Sequence, residues 1–88
     1  MWLAVNKDGS EVCSNNKLFK HHEVTTELIK EFGKEYEYFL KEEDRWCDSI
    51  TEGYYTVPKF RGVILPKGTI NKLIGRELTW NDEPVKLN

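Results

Sequence analysis

The strongest constraint on the fold lies near the start of the chain. An apolar run, Trp2-Leu3-Ala4-Val5, and a mixed run, Glu11-Val12-Cys13-Ser14, are separated by Asn6-Lys7-Asp8-Gly9 and Ser10. Asp hydrogen-bonds readily to the backbone just beyond it, and glycine takes positive φ at no steric cost, so this stretch is a turn. A hairpin is expected, and the remainder of the chain must cover its faces. Trp2 to Val5 does not alternate apolar with polar, which suits a strand buried on both sides.

Asn15-Asn16-Lys17 reads as a second turn, with Leu18 and Phe19 packing back on the hairpin. From Thr25 the period changes. Leu28, Ile29, Phe32, Tyr36, Phe39 and Leu40 fall on one helical face, Thr25 is read as the cap, and Glu27 in the first turn suits the helix dipole. Gly33 either ends this helix or sits inside it at a cost of about 1 kcal/mol. Tyr36, Tyr38 and Leu40 also alternate, so 35–40 is read as a strand and the helix as stopping near 32.

Tyr54 to Val57 reads as a strand stopped by Pro58, and Gly62 to Leu65 as another. Thr69 opens a short helix in which Ile70, Leu73 and Ile74 are spaced to face a core, with Gly75 at its end. Leu78 and Trp80 suggest a further strand. Asn81 to Pro84 turns the chain, and Val85 and Leu87 close it. The expectation is one α+β domain over residues 1–88: a small, mostly antiparallel sheet with one helix near 25–32 and a short helix near 70–74.

Composition sets the wider class. Of 88 residues 39% are apolar, including three Trp, four Tyr and four Phe, enough for a modest core without metal or disulfide staples. Cys13 and Cys47 form no C-x-x-C pair, and a small secreted scaffold would carry more cysteines. The opening apolar run meets Lys7 and Asp8 too early for a signal peptide, and no apolar run has the length of a membrane span. A cytoplasmic protein with reduced thiols is expected.

Charge is unevenly spread. Residues 23–52 hold ten acids against Lys30, Lys34, Lys41 and Arg45, whereas residues 53–88 hold six bases against Glu77, Asp82 and Glu83. An acidic middle and a basic C-terminal third result, within a chain of net charge −2.

The segment Leu65-Pro66-Lys67-Gly68-Thr69, continuing to Leu78-Thr79-Trp80-Asn81-Asp82-Glu83-Pro84-Val85, resembles the C-termini of small phage and prophage proteins of gut bacteria. The opening Met-Trp, the apolar run and Lys7-Asp8-Gly9 are similar to their N-termini. The resemblance covers both ends of the chain and not the acidic middle from Val24 to Gly53. It implies a virus-derived accessory gene acting in the host-cell cytoplasm, and it carries no chemistry.

Chemistry-bearing motifs are sparse. His21-His22 lacks the spacing of a zinc pair and reads as two exposed loop histidines. Cys13 sits in an expected strand, as a small buried hydrophobe does, and Cys47 lies in an acidic stretch that disfavours a thiolate. Glu42-Glu43-Asp44 and Asp82-Glu83 lie in polar runs, where carboxylates stay solvated. Gly68 and Thr69 open a helix whose N–H groups could take an anion, but an ordinary cap is the favoured reading. No cofactor, metal or catalytic set is expected, and the chain is read as non-enzymatic.

Contact surfaces remain. The first is the acidic segment, with Tyr38, Glu42, Glu43, Asp44 and Trp46 as the contact face for a protein partner, such as a host or defence protein that it inhibits. The alternative is weak nucleic-acid or nucleotide binding by the basic third, through Tyr54, Tyr55, Lys59, Phe60 and Arg61, where bases stack and phosphates are neutralised.

Overall fold

In a computed structural model the chain is a small α+β fold, described for residues 1–33, 44–51 and 57–88, the side chains of Phe32 and Thr51 excepted. The expected hairpin is its centre. Strands β1 (Trp2–Val5) and β2 (Glu11–Ser14) pair antiparallel from Trp2↔Ser14 to Val5↔Glu11. The turn closes as its residues dictate. Asn6 donates to the Ser10 carbonyl at 2.9 Å, Asp8 accepts from the Ser10 N–H at 2.9 Å, and Gly9 takes φ 91°.

Two later segments flank the hairpin. Strand β7 (Val63–Leu65) pairs with β2, and β8 (Val85–Lys86) pairs with β1, both antiparallel, giving the order β7-β2-β1-β8. Two short antiparallel ladders stand apart from this sheet. One joins β3 (Phe19–Lys20) to β4 (Trp46–Cys47), and the other joins β5 (Ser49–Thr51) to β6 (Val57–Lys59). Pro58 lies within β6 instead of stopping it. A two-strand ladder leaves each strand an outer side, where a missing N–H removes no ladder bond.

The period-2 geometry of β1 explains why its run is apolar throughout. Leu3 and Val5 meet Cys13, Ile70 and Leu78 in one core, while Ala4 meets Val12, Leu18 and Trp46 in a second. The sheet therefore carries a core on each face.

The long helix α1 spans His21–Phe32, so it begins four residues before the expected cap at Thr25. Thr25 is buried inside it, its hydroxyl donating to the His21 carbonyl at 2.8 Å. No side chain caps the start. The His21 N–H donates instead to the Arg45 carbonyl at 3.0 Å, a partner supplied from beside the β3–β4 ladder. Gly33 ends the helix, with φ 92° and its N–H on Ile29.

The short helix α2 spans Thr69–Ile74 and ends at Gly75 in the left-handed region. Ile70 is buried, but Leu73 is exposed, so only part of the expected stripe reaches the core. The strand expected at Leu78 to Trp80 does not form. Asp82 Oδ2 accepts from the Thr79 N–H at 2.7 Å, and the Asp82 N–H returns to the Thr79 carbonyl at 3.1 Å. This local side-chain turn competes successfully with a ladder. The strand expected at 35–40 lies outside the described residues.

Candidate interaction surfaces

Several side chains read as exposed are internal. Trp46, expected to anchor an acidic contact face, is only 5% exposed. Its indole N–H donates to the Val5 carbonyl at 2.8 Å, and its backbone N–H donates to Asn6 Oδ1 at 2.8 Å. Trp46 therefore clamps the end of β1, and its ring area goes to the core. Asp44 is exposed beside the same turn, 3.3 Å from Lys7 Nζ. Tyr38, Glu42 and Glu43 lie outside the described residues, so the five residues of that face are represented by one surface group and one core group.

The basic alternative is likewise divided. Lys59 and Arg61 are exposed, while Phe60 is half-buried against the core of Ala4, Val12, Leu18 and Trp46. A ring packed inward is no stacking platform for a base. Tyr54 and Tyr55 lie outside the described residues.

Buried polar groups prove to be structural ties. Glu11 is nearly sealed in the sheet, and its carboxylate accepts from the Gly68 N–H and, at 2.7 Å, from the Ile70 N–H. The anion at the start of α2 is thus the chain's own; Gly68 is the N-cap residue with no side-chain cap bond, and the hydroxyl of Thr69, the first helical residue, donates to the Pro66 carbonyl at 2.6 Å instead of capping. Asp48, read as part of the acidic surface, is buried. It accepts from Ser14 Oγ at 2.6 Å and from the Arg61 N–H at 2.8 Å, joining the end of β2 to the segment after β6. His21 is buried in the first turn of α1, its Nδ1 3.2 Å from Thr25 Oγ1, and His22 lies edge-on to Trp80. Neither is a loop histidine. Each group needs a partner because burial without one costs several kcal/mol. Asp48 and His21, read as solvated, are both buried.

Cys13 and Cys47 are both buried. No group of three or more His, Cys, Asp or Glu among the described residues is placed to hold a metal ion. No helix among them is long and apolar enough to cross a membrane.

Two shallow clefts flank the Trp80 loop. One, of about 590 Å³, has Val5, Ile70, Leu78 and Trp80 as apolar lining, with Lys7, Lys67 and Glu77 bringing charge. The other, of about 560 Å³, is lined by Trp2, Trp46, Lys20, Glu23 and Asp82 among others. Between them the Lys20 ammonium sits 4.2 Å from the Trp80 ring centre and 5.4 Å from that of Trp46. This cation is occupied by the protein's own aromatics.

The most unusual surface is an edge. Val63 and Ile64 of β7 are 59% and 69% exposed, although β7 belongs to the central sheet. Val63 lies opposite Cys13 and Ile64 opposite Val12, so the two project from opposite faces. Among the described residues no strand pairs with the outer side of β7. Gly62 makes this placement possible. A Cβ there would collide with the Cys13 carbonyl oxygen and lie 2.6 Å from Phe60 Cζ, so only glycine lets the chain enter β7 so close to β2.

The sequence pattern identified β7 as a strand but not as an exposed one. The usable signal is the absence of any charge in Val63-Ile64-Leu65 between Arg61 and Lys67. Comparison with protein-family models, curated proteins and solved structures finds no match for the chain.

Proposed function

We propose that this chain is a non-enzymatic interaction protein, of the accessory kind found in phages and prophages, and that β7 is where it meets a protein partner. The observation that carries this reading is the exposure of Val63 and Ile64 on the outermost strand of the main sheet. An uncharged aliphatic edge whose outer side no strand among the described residues pairs is a template for another chain, and stable proteins ordinarily cover or charge such an edge. The buried acids and the buried histidine support the non-enzymatic part, because their polar atoms already hold backbone or neighbouring side chains together. The phage context, with a host or defence protein as target, rests on the resemblance at the two ends of the chain.

The test is site-directed photo-cross-linking in host lysate, with the cross-linker at Ile64 or, as a control, at exposed Glu31, with and without nuclease. Nuclease-resistant protein adducts at 64 and not at 31 are expected. Equal adducts at both positions, or adducts to nucleic acid, would contradict the proposal. The second outcome would favour the reading based on exposed Lys59 and Arg61.

A further inference from the structure

The two edges of the main sheet are built differently. Strand β8 has two residues, follows directly on Pro84, and carries Lys86, whose ammonium lies 5.9 Å from the Trp2 ring centre. A short strand, a proline and a lysine are the usual defences of an edge. Strand β7 is also short, at three residues, and runs directly into Pro66, but unlike β8 it carries no charged side chain within it. Its neighbour β2 occupies one side, so alternate residues of Val63–Leu65 direct their N–H and C=O groups outward. Its side chains would lie against those of an added strand on both faces of the sheet.

Charge at the ends of the strand selects the occupant. Arg61 and Lys67 are both exposed and stand two residues before and two residues after β7. Antiparallel pairing of β7 with a second copy of itself, centred on Ile64, would set Arg61 against the other copy's Lys67. Like charges facing across a strand pair are destabilising. A strand whose ends carry Asp or Glu would meet opposite charge at both positions.

From this we infer that β7 takes up an extended segment of a partner protein by strand addition, and that the segment is a short run of β-branched residues flanked by acidic ones. Main-chain hydrogen bonds supply the binding, and the two basic residues supply the choice of partner. The inference rests on the interaction reading above and specifies the partner's chemistry.

The probes are two capped synthetic peptides, Asp-Glu-Val-Thr-Val-Glu-Asp and Lys-Lys-Val-Thr-Val-Lys-Lys, titrated into isotope-labelled protein and followed by amide NMR. The acidic peptide is expected to shift the amides of Val63, Ile64 and Leu65, and to bind about fivefold more tightly than the basic one at low salt. That preference should shrink at high salt, where exposed pairs are screened. Equal binding of both peptides would overturn the inference, as would shifts that leave residues 63–65 untouched. Concentration-dependent self-association that moves the same amides without peptide would overturn it in favour of a second copy. If neither peptide binds while cross-linking at Ile64 persists, strand addition by an acidic segment fails and the interaction reading stands. Loss of both ends both.

Discussion

Strands β1 and β7 belong to one sheet and are written in nearly the same alphabet, yet they meet opposite environments. Leu3, Ala4 and Val5 are buried between two cores, while Val63 and Ile64 stand mostly in solvent. Composition does not separate them. Position does, because β1 has neighbours on both sides and layers on both faces, whereas β7 ends the sheet. An apolar run is thus a statement about strand formation, and its burial depends on what later segments reach it. At β7, whose outer side no strand among the described residues pairs, Val63 and Ile64 stay exposed.

The comparison can be broken at the buried end. Trp46→Ala removes the ring packed against Ala4 and the indole N–H that satisfies Val5, so a loss of about 3–5 kcal/mol is expected, checked by urea unfolding. A loss below about 1 kcal/mol would mean that β1 is not clamped as described. Next in size is Glu11→Gln. Its carboxylate holds two N–H groups at the start of α2, and an amide would present a donor to one of them. About 2 kcal/mol is expected from the same measurement, with the amide of Ile70 losing protection from hydrogen exchange.

A smaller effect lies in the hairpin turn. The Asp8 carboxyl is held below its ordinary value of 3.8, first by the Ser10 hydroxyl and then by the Ser10 N–H. A depressed carboxyl stabilises the folded state above its unfolded value, and that contribution fades as pH falls below 3.8 through the lower folded value. Amide shifts of Gly9 and Ser10 should titrate below 3.8 in the native protein and should not do so in Asp8→Asn. The smallest effect on stability is expected at the exposed end: Ile64→Thr, which keeps a β-branched side chain, should change unfolding by no more than about 0.5 kcal/mol. A much larger loss would show that β7 is covered after all.

How much of this was legible depended on how local its causes are. The hairpin turn, the helix ends at Gly33 and Gly75, and the mainly antiparallel α+β character follow from residues close in sequence. The start of α1 did not, because the group that receives the His21 N–H is a carbonyl at residue 45. The same holds for Glu11 and Asp48. An acid is readable as solvated or as a buried acceptor only once its N–H partners are known, and those lie 13 residues away for Asp48 and as many as 59 for Glu11. Trp46 sits among charged residues in sequence and among Ala4, Val12 and Leu18 in space. The expected acidic face was assembled from neighbours in sequence, and burial divides it.

The central claim is that the outer edge of β7 makes the contact and that Arg61 and Lys67 choose the partner. The direct measurement is a charge swap, Arg61→Glu with Lys67→Glu, assayed against the acidic and the basic peptide at low salt. Both side chains are exposed, so the melting temperature should hardly move while the preference inverts and the lysine-flanked peptide becomes the tighter ligand. An intact fold that keeps the original preference would contradict the account.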